Sequence, residues 1–107
     1  LEDVTYSNGY HIPKEDERVQ LLMRVYREVS GDTEAQPYTM GGGTYARRLK
    51  NAVPYGPEPK IEKRPDFMPP HHGGAHQPDE MLDLPTYLKG IEIFAMALAE
   101  LDAMLNA

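Results

Sequence analysis

The sequence of 107 residues contains no cysteine. This absence excludes disulfide bonds, thiolate metal ligands and cysteine nucleophiles, and it fits a reducing compartment, so we expect a cytoplasmic protein. The sequence also has no apolar run of about 18 residues and no signal-peptide pattern at its start. We therefore expect no membrane partner.

Basic residues are scarce as well. Eleven lysines and arginines stand against seventeen acidic residues, which gives a formal net charge of −6. Because nucleic-acid binding through phosphates needs a basic face, this balance argues against a nucleic-acid partner.

Proline and glycine are concentrated in the middle of the chain. Fourteen of these residues lie within positions 37–78, so the sequence divides into two helical ends and a loop-rich centre. Short apolar runs next to turn residues predict strands within 1–12, 37–40 and 52–55. The predicted fold class is α/β, with two longer helices, a short helix at 44–50, a few short strands and a long Pro/Gly-rich loop.

Two segments have the spacing of amphipathic helices. The first, 13–30, has Pro13 at its start and Gly31 just beyond its end. The second, 84–105, follows the candidate N-cap Asp83 and has Pro85 in its first turn. Its length of about 33 Å at 1.5 Å per residue requires more apolar surface than the rest of the chain offers. Its apolar stripe comprises Leu88, Ile91, Phe94, Ala95, Leu98, Leu101 and Leu105.

A first candidate site is the Gly-Gly-Gly-Thr-Tyr-Ala-Arg segment at residues 41–47, called the glycine loop below. Glycines let the backbone approach a ligand closely, and a following helix start would present amides to an anion. Thr44 could cap the helix or bind the anion, and Arg47 could pair with a carboxylate or phosphate. A plain tight turn explains the same residues, and spacing alone leaves both interpretations open.

A second candidate site is the histidine-rich segment at residues 71–80, called the histidine loop below. It contains His71, His72 and His76, followed by Asp79 and Glu80. Imidazoles are common metal ligands, and nearby carboxylates often hold such ligands in place. One short segment cannot complete a zinc site, which needs about four ligands. A solvated loop without a metal is the alternative.

Taken together and in this order, the glycine loop and the His-Gln-Pro-Asp-Glu sequence at 76–80 resemble the C-terminal end of a co-catalytic zinc dipeptidase. The superfamily contains aminoacylases, glutamate carboxypeptidases and carnosinases, and the similarity is greatest to carnosinase-like Xaa-His dipeptidases. The resemblance implies that residues 1–12 end a lid domain and that 13–107 form the C-terminal part of a catalytic domain.

The resemblance also implies roles for individual residues. His76 matches a metal ligand, while Gly42, Gly43 and Thr44 match the loop that meets the substrate's carboxylate. Arg47 lies in the same motif and either contacts the substrate or fixes the loop. Asp79 and Glu80 match residues that support the metal ligand. His71 and His72 have no counterpart in the motif.

Members of this superfamily hydrolyse peptide bonds with water activated by two divalent metal ions, zinc above all, with manganese or cobalt as alternatives. Their other ligands and their catalytic base lie in motifs that this sequence lacks. The resemblance therefore implies a dipeptidase activity that needs the remainder of a parent polypeptide, and a dipeptide as the substrate. We expect the isolated chain to be inactive and to self-associate through the face of Ile91, Leu98 and Leu105.

Two other functions are compatible with the sequence. One is an amide hydrolase of the same superfamily, such as a deacylase or desuccinylase. Tyr45 favours the dipeptidase branch, because deacylase-type members more often have aspartate at that position. The other is a small non-catalytic binding module.

Overall fold

The computed structural model describes residues 9–59 and 64–107 of the chain. Helix α1 comprises Glu17–Ser30, a single 3-10 turn comprises Tyr45–Arg48, and helix α2 comprises Leu84–Leu105. The two α-helices pack against each other, and residues 53–57 of the segment between them contact this pair.

Helix α1 begins later than its sequence pattern predicts. The carboxylate of Asp16 accepts a hydrogen bond from the Arg18 amide at 2.9 Å and caps the helix, which therefore starts at Glu17 and not at Pro13. The Asp16 amide donates to the Pro13 carbonyl, so this proline belongs to a preceding turn. At the other end, Gly31 adopts φ 78° and donates its amide to the Arg27 carbonyl, so the predicted glycine end is confirmed.

Helix α2 has the bounds and the cap that the sequence predicts. Asp83 accepts hydrogen bonds from the Thr86 amide at 2.9 Å and from the Thr86 hydroxyl at 2.6 Å. Pro85 occupies the first turn, where its missing N–H costs no helical hydrogen bond. The hydrogen bonds from Thr86 lower the pKa of Asp83 and keep this cap charged.

The core is small and lies between the two helices. Its fully buried members are Leu22 and Val25 from α1, and Ile93 and Ala97 from α2. Residues 51–58, called the strap below, cross this pair without regular secondary structure and place Val53 and Tyr55 against the core.

Tyr55 is the main anchor of the strap. Its ring meets Phe94 edge to face at 5.6 Å between centroids, and its hydroxyl donates to the Leu22 carbonyl at 3.1 Å. Burial raises the pKa of Tyr55 to about 12, so the hydroxyl remains a donor at physiological pH. At Gly90, an added Cβ would lie 3.3 Å from the Pro57 carbonyl oxygen, so the strap approaches the α2 backbone closely.

The predicted α/β class is wrong for the described residues, because none of them forms a strand. Segments 37–40 and 52–55 have no paired neighbour there, and an extended segment becomes a strand only when another segment accepts its hydrogen bonds. Most of the predicted strand within 1–12 lies outside the described residues, and 9–12 has no regular structure. The predicted helix at 44–50 is reduced to the 3-10 turn Tyr45–Arg48.

A wide apolar face of α2 is exposed on the side away from α1. Ile91, Leu98 and Leu105 retain 50%, 67% and 68% of their accessible surface. In the described part of the chain, the prediction that α2 exposes part of its apolar stripe is therefore confirmed. Despite this apolar character, no helix in the two described stretches is both long and hydrophobic enough to traverse a bilayer.

Candidate functional site

The glycine loop lies on the surface between α1 and the strap. None of its three glycines adopts a left-handed φ, so the backbone conformation alone does not require glycine at positions 41–43. At Gly43 an added Cβ would lie 2.7 Å from Nη1 of Arg47, so any side chain at this position would make the end of that flexible arginine move. The structure thus brings together two residues that the sequence assigns to one site, with the guanidinium lying directly over the Gly43 backbone.

Thr44 contributes a second polar group beside Gly43. Its hydroxyl oxygen accepts a hydrogen bond from the Ala46 amide at 3.3 Å and caps the 3-10 turn. This contact uses the oxygen as an acceptor, so the hydroxyl proton can still be donated to an anion. Thr44 can therefore cap the turn and bind an anion at the same time, which are the two roles that the sequence allows for it.

The source of positive potential differs from the sequence prediction. A four-residue 3-10 turn has too few aligned peptide groups to build an appreciable helix dipole. The guanidinium of Arg47 supplies the positive charge instead. Gly42, Gly43, Thr44 and Arg47 are all exposed, so a ligand could reach each of them.

In the histidine loop, His76 stands at the tip of a tight turn. The Gln77 amide donates to the Gly74 carbonyl at 3.1 Å, and the Gly74 amide donates to Oε1 of Gln77 at 3.0 Å. Gln77 therefore closes the turn with both its backbone and its side chain. His76 has φ 60° within this turn, and its side chain is exposed.

A second set of contacts closes the loop at its base. Nδ1 of His72 lies 2.8 Å from Oδ2 of Asp79. The Gly73 amide donates to the Pro78 carbonyl at 2.9 Å, and the Gly73 carbonyl accepts from the Met81 amide at 3.1 Å. Asp79 thus contacts His72. The expectation that Asp79 and the exposed Glu80 support His76 as a metal ligand stays a prediction.

The described residues do not make a metal centre by themselves. No group of three or more His, Asp or Glu side chains within residues 9–59 and 64–107 could hold a metal ion. The exposed imidazole of His76 has the chemistry of a single ligand, and zinc requires several. A complete centre therefore needs donors from outside the described part of the chain.

Among the described residues, neither a hydrogen bond nor an ion pair joins the glycine loop to the histidine loop. Each loop is instead anchored locally, the first by Arg47 and Thr44 and the second by Gln77 and the His72–Asp79 pair. The two sites that the sequence predicts are therefore formed separately.

Comparison with known proteins identifies the class of protein to which these two loops belong. The profile of the peptidase family M20/M25/M40 matches residues 1–100. The chain therefore belongs to this peptidase family.

Several curated relatives carry dipeptidase names. The chain is 35% identical over 95 residues to "Putative dipeptidase YtjP" of Bacillus subtilis (strain 168), which covers 89% of this chain and 18% of that protein. It is 34% identical over 103 residues to "Beta-Ala-Xaa dipeptidase" of Lactobacillus delbrueckii subsp. lactis, with 92% and 20% covered. A shorter match, 47% identical over 47 residues, joins it to "Putative dipeptidase SH1171" of Staphylococcus haemolyticus (strain JCSC1435), with 44% and 10% covered.

The chain spans about a fifth of the length of the curated relatives that it matches over most of its residues. No solved structure matches the chain.

Proposed function

We propose that this chain is the carboxylate-binding and ligand-bearing portion of a metal-dependent dipeptidase. Membership of the peptidase family and the dipeptidase names of its relatives support the reaction class. The observation that carries the proposal is the position of the Arg47 guanidinium over Gly43, the residue that directly precedes Thr44.

The glycine loop fits a carboxylate in both charge and shape. The guanidinium of Arg47 offers charge-assisted N–H donors, and the Thr44 hydroxyl offers another donor beside them. Gly42 and Gly43 have no side chains to keep a ligand away from the backbone. A dipeptide ends in a free carboxylate, and binding it here would hold the substrate by the end that does not react.

The histidine loop would contribute His76 as one metal ligand. Its exposure leaves the imidazole accessible to an ion held mainly by other residues. Zinc is the metal that the family resemblance favours, and it would supply Lewis-acid chemistry at the peptide carbonyl when bound. This chain lacks the remaining ligands and a catalytic base, so the remainder of a parent polypeptide is the required partner.

Because these groups are missing, we expect the purified chain to show no dipeptidase activity with added zinc or manganese. Turnover of a dipeptide above a buffer control, in material free of host peptidases, would contradict this expectation.

Carboxylate binding can be tested on the chain itself. Amide resonances of Gly42, Gly43 and Thr44 are followed by NMR during titration with a dipeptide and, separately, with the same dipeptide as its C-terminal amide. We expect shifts with the free dipeptide and much smaller shifts with the amide. Equal responses to both compounds would overturn the carboxylate role.

A matched pair of variants assigns the charge that matters. Arg47→Met should weaken dipeptide binding by about tenfold, because it removes the charged donors over Gly43. Arg48→Met removes the same charge from the neighbouring exposed position and should change the affinity by less than about twofold. Equal losses in the two variants would indicate general electrostatic attraction and would contradict the assigned role of Arg47.

A further inference from the structure

The segment that carries the glycine loop is attached to α1 at both of its ends. At the first end, Nε of Arg27 donates a hydrogen bond to the Ala35 carbonyl at 2.9 Å. This contact forms directly after α1 ends at Gly31 and fixes where the chain leaves the helix. The chain from residue 36 onward therefore starts from a fixed position beside α1.

At the second end, Nη1 of Arg18 donates to the Asn51 carbonyl at 2.6 Å. Asn51 adopts φ 61°, so the chain turns there and enters the strap. The two other guanidinium nitrogens of Arg18 are held by Asp16, with Nε 3.0 Å from Oδ1 and Nη2 2.7 Å from Oδ2. The helix-capping carboxylate thus orients the arginine so that its remaining nitrogen meets the Asn51 carbonyl.

Both anchors are on one helix, whose backbone fixes their separation at about 13 Å along the axis, at 1.5 Å per residue. The third arginine of α1 behaves differently. Arg24 pairs with Glu100 of α2 at 2.9 Å and with Glu28 of its own helix at 3.7 Å. Arg18 and Arg27 contact backbone carbonyls at the two ends of segment 36–50, whereas Arg24 stabilises the helix pair.

We propose that Arg18 and Arg27 are positioning residues that hold the two ends of segment 36–50 on α1 and thereby preorganise the glycine loop for its ligand. A loop with fixed ends samples fewer conformations than a loop with one loose end, so less entropy is lost when it binds. The acceptors are backbone carbonyls, which any residue type at positions 35 and 51 would provide. Whether these contacts form therefore depends on the arginine side chains and not on residues 35 and 51.

This inference rests on the proposed carboxylate role of the loop, and the experiment separates the two. The NMR titration with a dipeptide and its C-terminal amide is repeated on Arg18→Met, Arg27→Met and the control Arg24→Met. Backbone NMR order parameters of Gly41, Gly42 and Gly43 are measured in the same samples, and far-UV circular dichroism with a thermal melt verifies that each variant folds.

We expect Arg18→Met and Arg27→Met each to lower the order parameters of these glycines and to weaken dipeptide binding by about tenfold. Arg24→Met should lower the melting temperature without either effect. Arg27→Lys retains one N–H donor and the charge, so it should restore most of the affinity that Arg27→Met loses. Arg27 does not contact Asp16, the residue that caps α1 and pairs with Arg18. The comparison of Arg27→Met with Arg27→Lys therefore remains informative even if Arg18→Met fails to fold.

If wild-type order parameters and dipeptide affinity persist in both folded methionine variants, or if Arg24→Met impairs the loop equally, the positioning role is overturned. Lower order parameters in the two variants, in a chain that does not distinguish the dipeptide from its amide, would support the positioning role and refute the proposed carboxylate binding.

Discussion

The guanidinium of Arg47 occupies the space that a Cβ at Gly43 would need, with Nη1 2.7 Å and Cζ 3.0 Å from that position. A Cβ at position 43 would therefore displace the guanidinium, although the backbone angles there do not themselves require glycine. This relationship links the two most distinctive features of the loop, its glycines and its arginine, in one physical argument. It also permits a test by a single added methyl group.

Gly43→Ala should displace the guanidinium of Arg47 and weaken binding of a free dipeptide by about tenfold, a loss of about 1.4 kcal/mol. The backbone should tolerate alanine because φ at this position is not left-handed. The control is Gly41→Ala, whose added Cβ meets nothing within 4 Å and should leave the affinity unchanged. NMR titration checks both variants, and equal affinities would contradict the argument.

The turn that presents His76 should depend on Gln77. Gln77→Ala removes the side-chain oxygen that accepts from the Gly74 amide, so this amide should exchange with solvent about tenfold faster. Gln20→Ala is a matched control, because Gln20 lies on α1 and donates to the Lys14 carbonyl, away from the histidine loop. Hydrogen exchange measured by NMR compares the two.

An alanine at position 74 gives a second approach to the same turn. The Cβ of Gly74→Ala would lie 2.7 Å from Oε1 of Gln77, so it should expel the side chain and reproduce the effect of Gln77→Ala. An unchanged Gly74 exchange rate in Gln77→Ala would show that the backbone hydrogen bond alone closes the turn.

Local signals in the sequence predict the helices well. Asp83, Pro85 and Gly31 define helix ends by short-range chemistry, and the structure has them in the predicted places. Strands could not be predicted in this way, because a strand depends on a partner that can be far away in sequence. Val53 and Tyr55 are β-forming residues that pack on two helices instead of pairing in a sheet.

The candidate site was predictable by residue type but not by contact. The sequence places Gly43 and Arg47 in one motif, yet the closeness of the guanidinium to the glycine depends on the 3-10 turn that lies between them. The anchors Arg18 and Arg27 leave no pattern in the sequence, because the carbonyls they contact are common to all residues. Their contacts follow from the path of the chain after α1.

The Asp16–Arg18 pair should give the fold an acid-sensitive component. The side-chain hydrogen bond from Arg18 lowers the pKa of Asp16 from 3.8 to about 2. A carboxylate with a depressed folded-state pKa stabilises the fold fully above its unfolded value, and this contribution is lost as the pH falls towards 2. The free energy of unfolding should therefore decrease between about pH 4 and pH 2.

Asp16→Asn isolates this effect, because asparagine still caps a helix but does not pair with Arg18 as an ion. The variant should be less stable than the wild type at pH 6, and the two should converge near pH 2. Urea unfolding across this range measures the difference, in which the other carboxylates cancel. A constant difference between pH 6 and pH 2 would contradict the assignment.

The last prediction concerns the exposed face of α2. The chain has an accessible surface of 9001 Å², whereas a compact monomer of this mass has about 6000 Å². Part of the exposed apolar surface lies on one face of α2, where Leu98 is 67% exposed. We expect the isolated chain to self-associate through this face, and Leu98→Asp to restore a monomer with unchanged helix content, since Leu98 is not in the core. The melting temperature of the wild type should rise with concentration, whereas that of Leu98→Asp should not. Leu49→Asp adds the same charge at a leucine that is 60% exposed beside the 3-10 turn and should leave association intact. Light scattering over a concentration series measures the mass of each variant. A wild-type monomer at every concentration, or equal dissociation by both substitutions, would show that this face does not drive association.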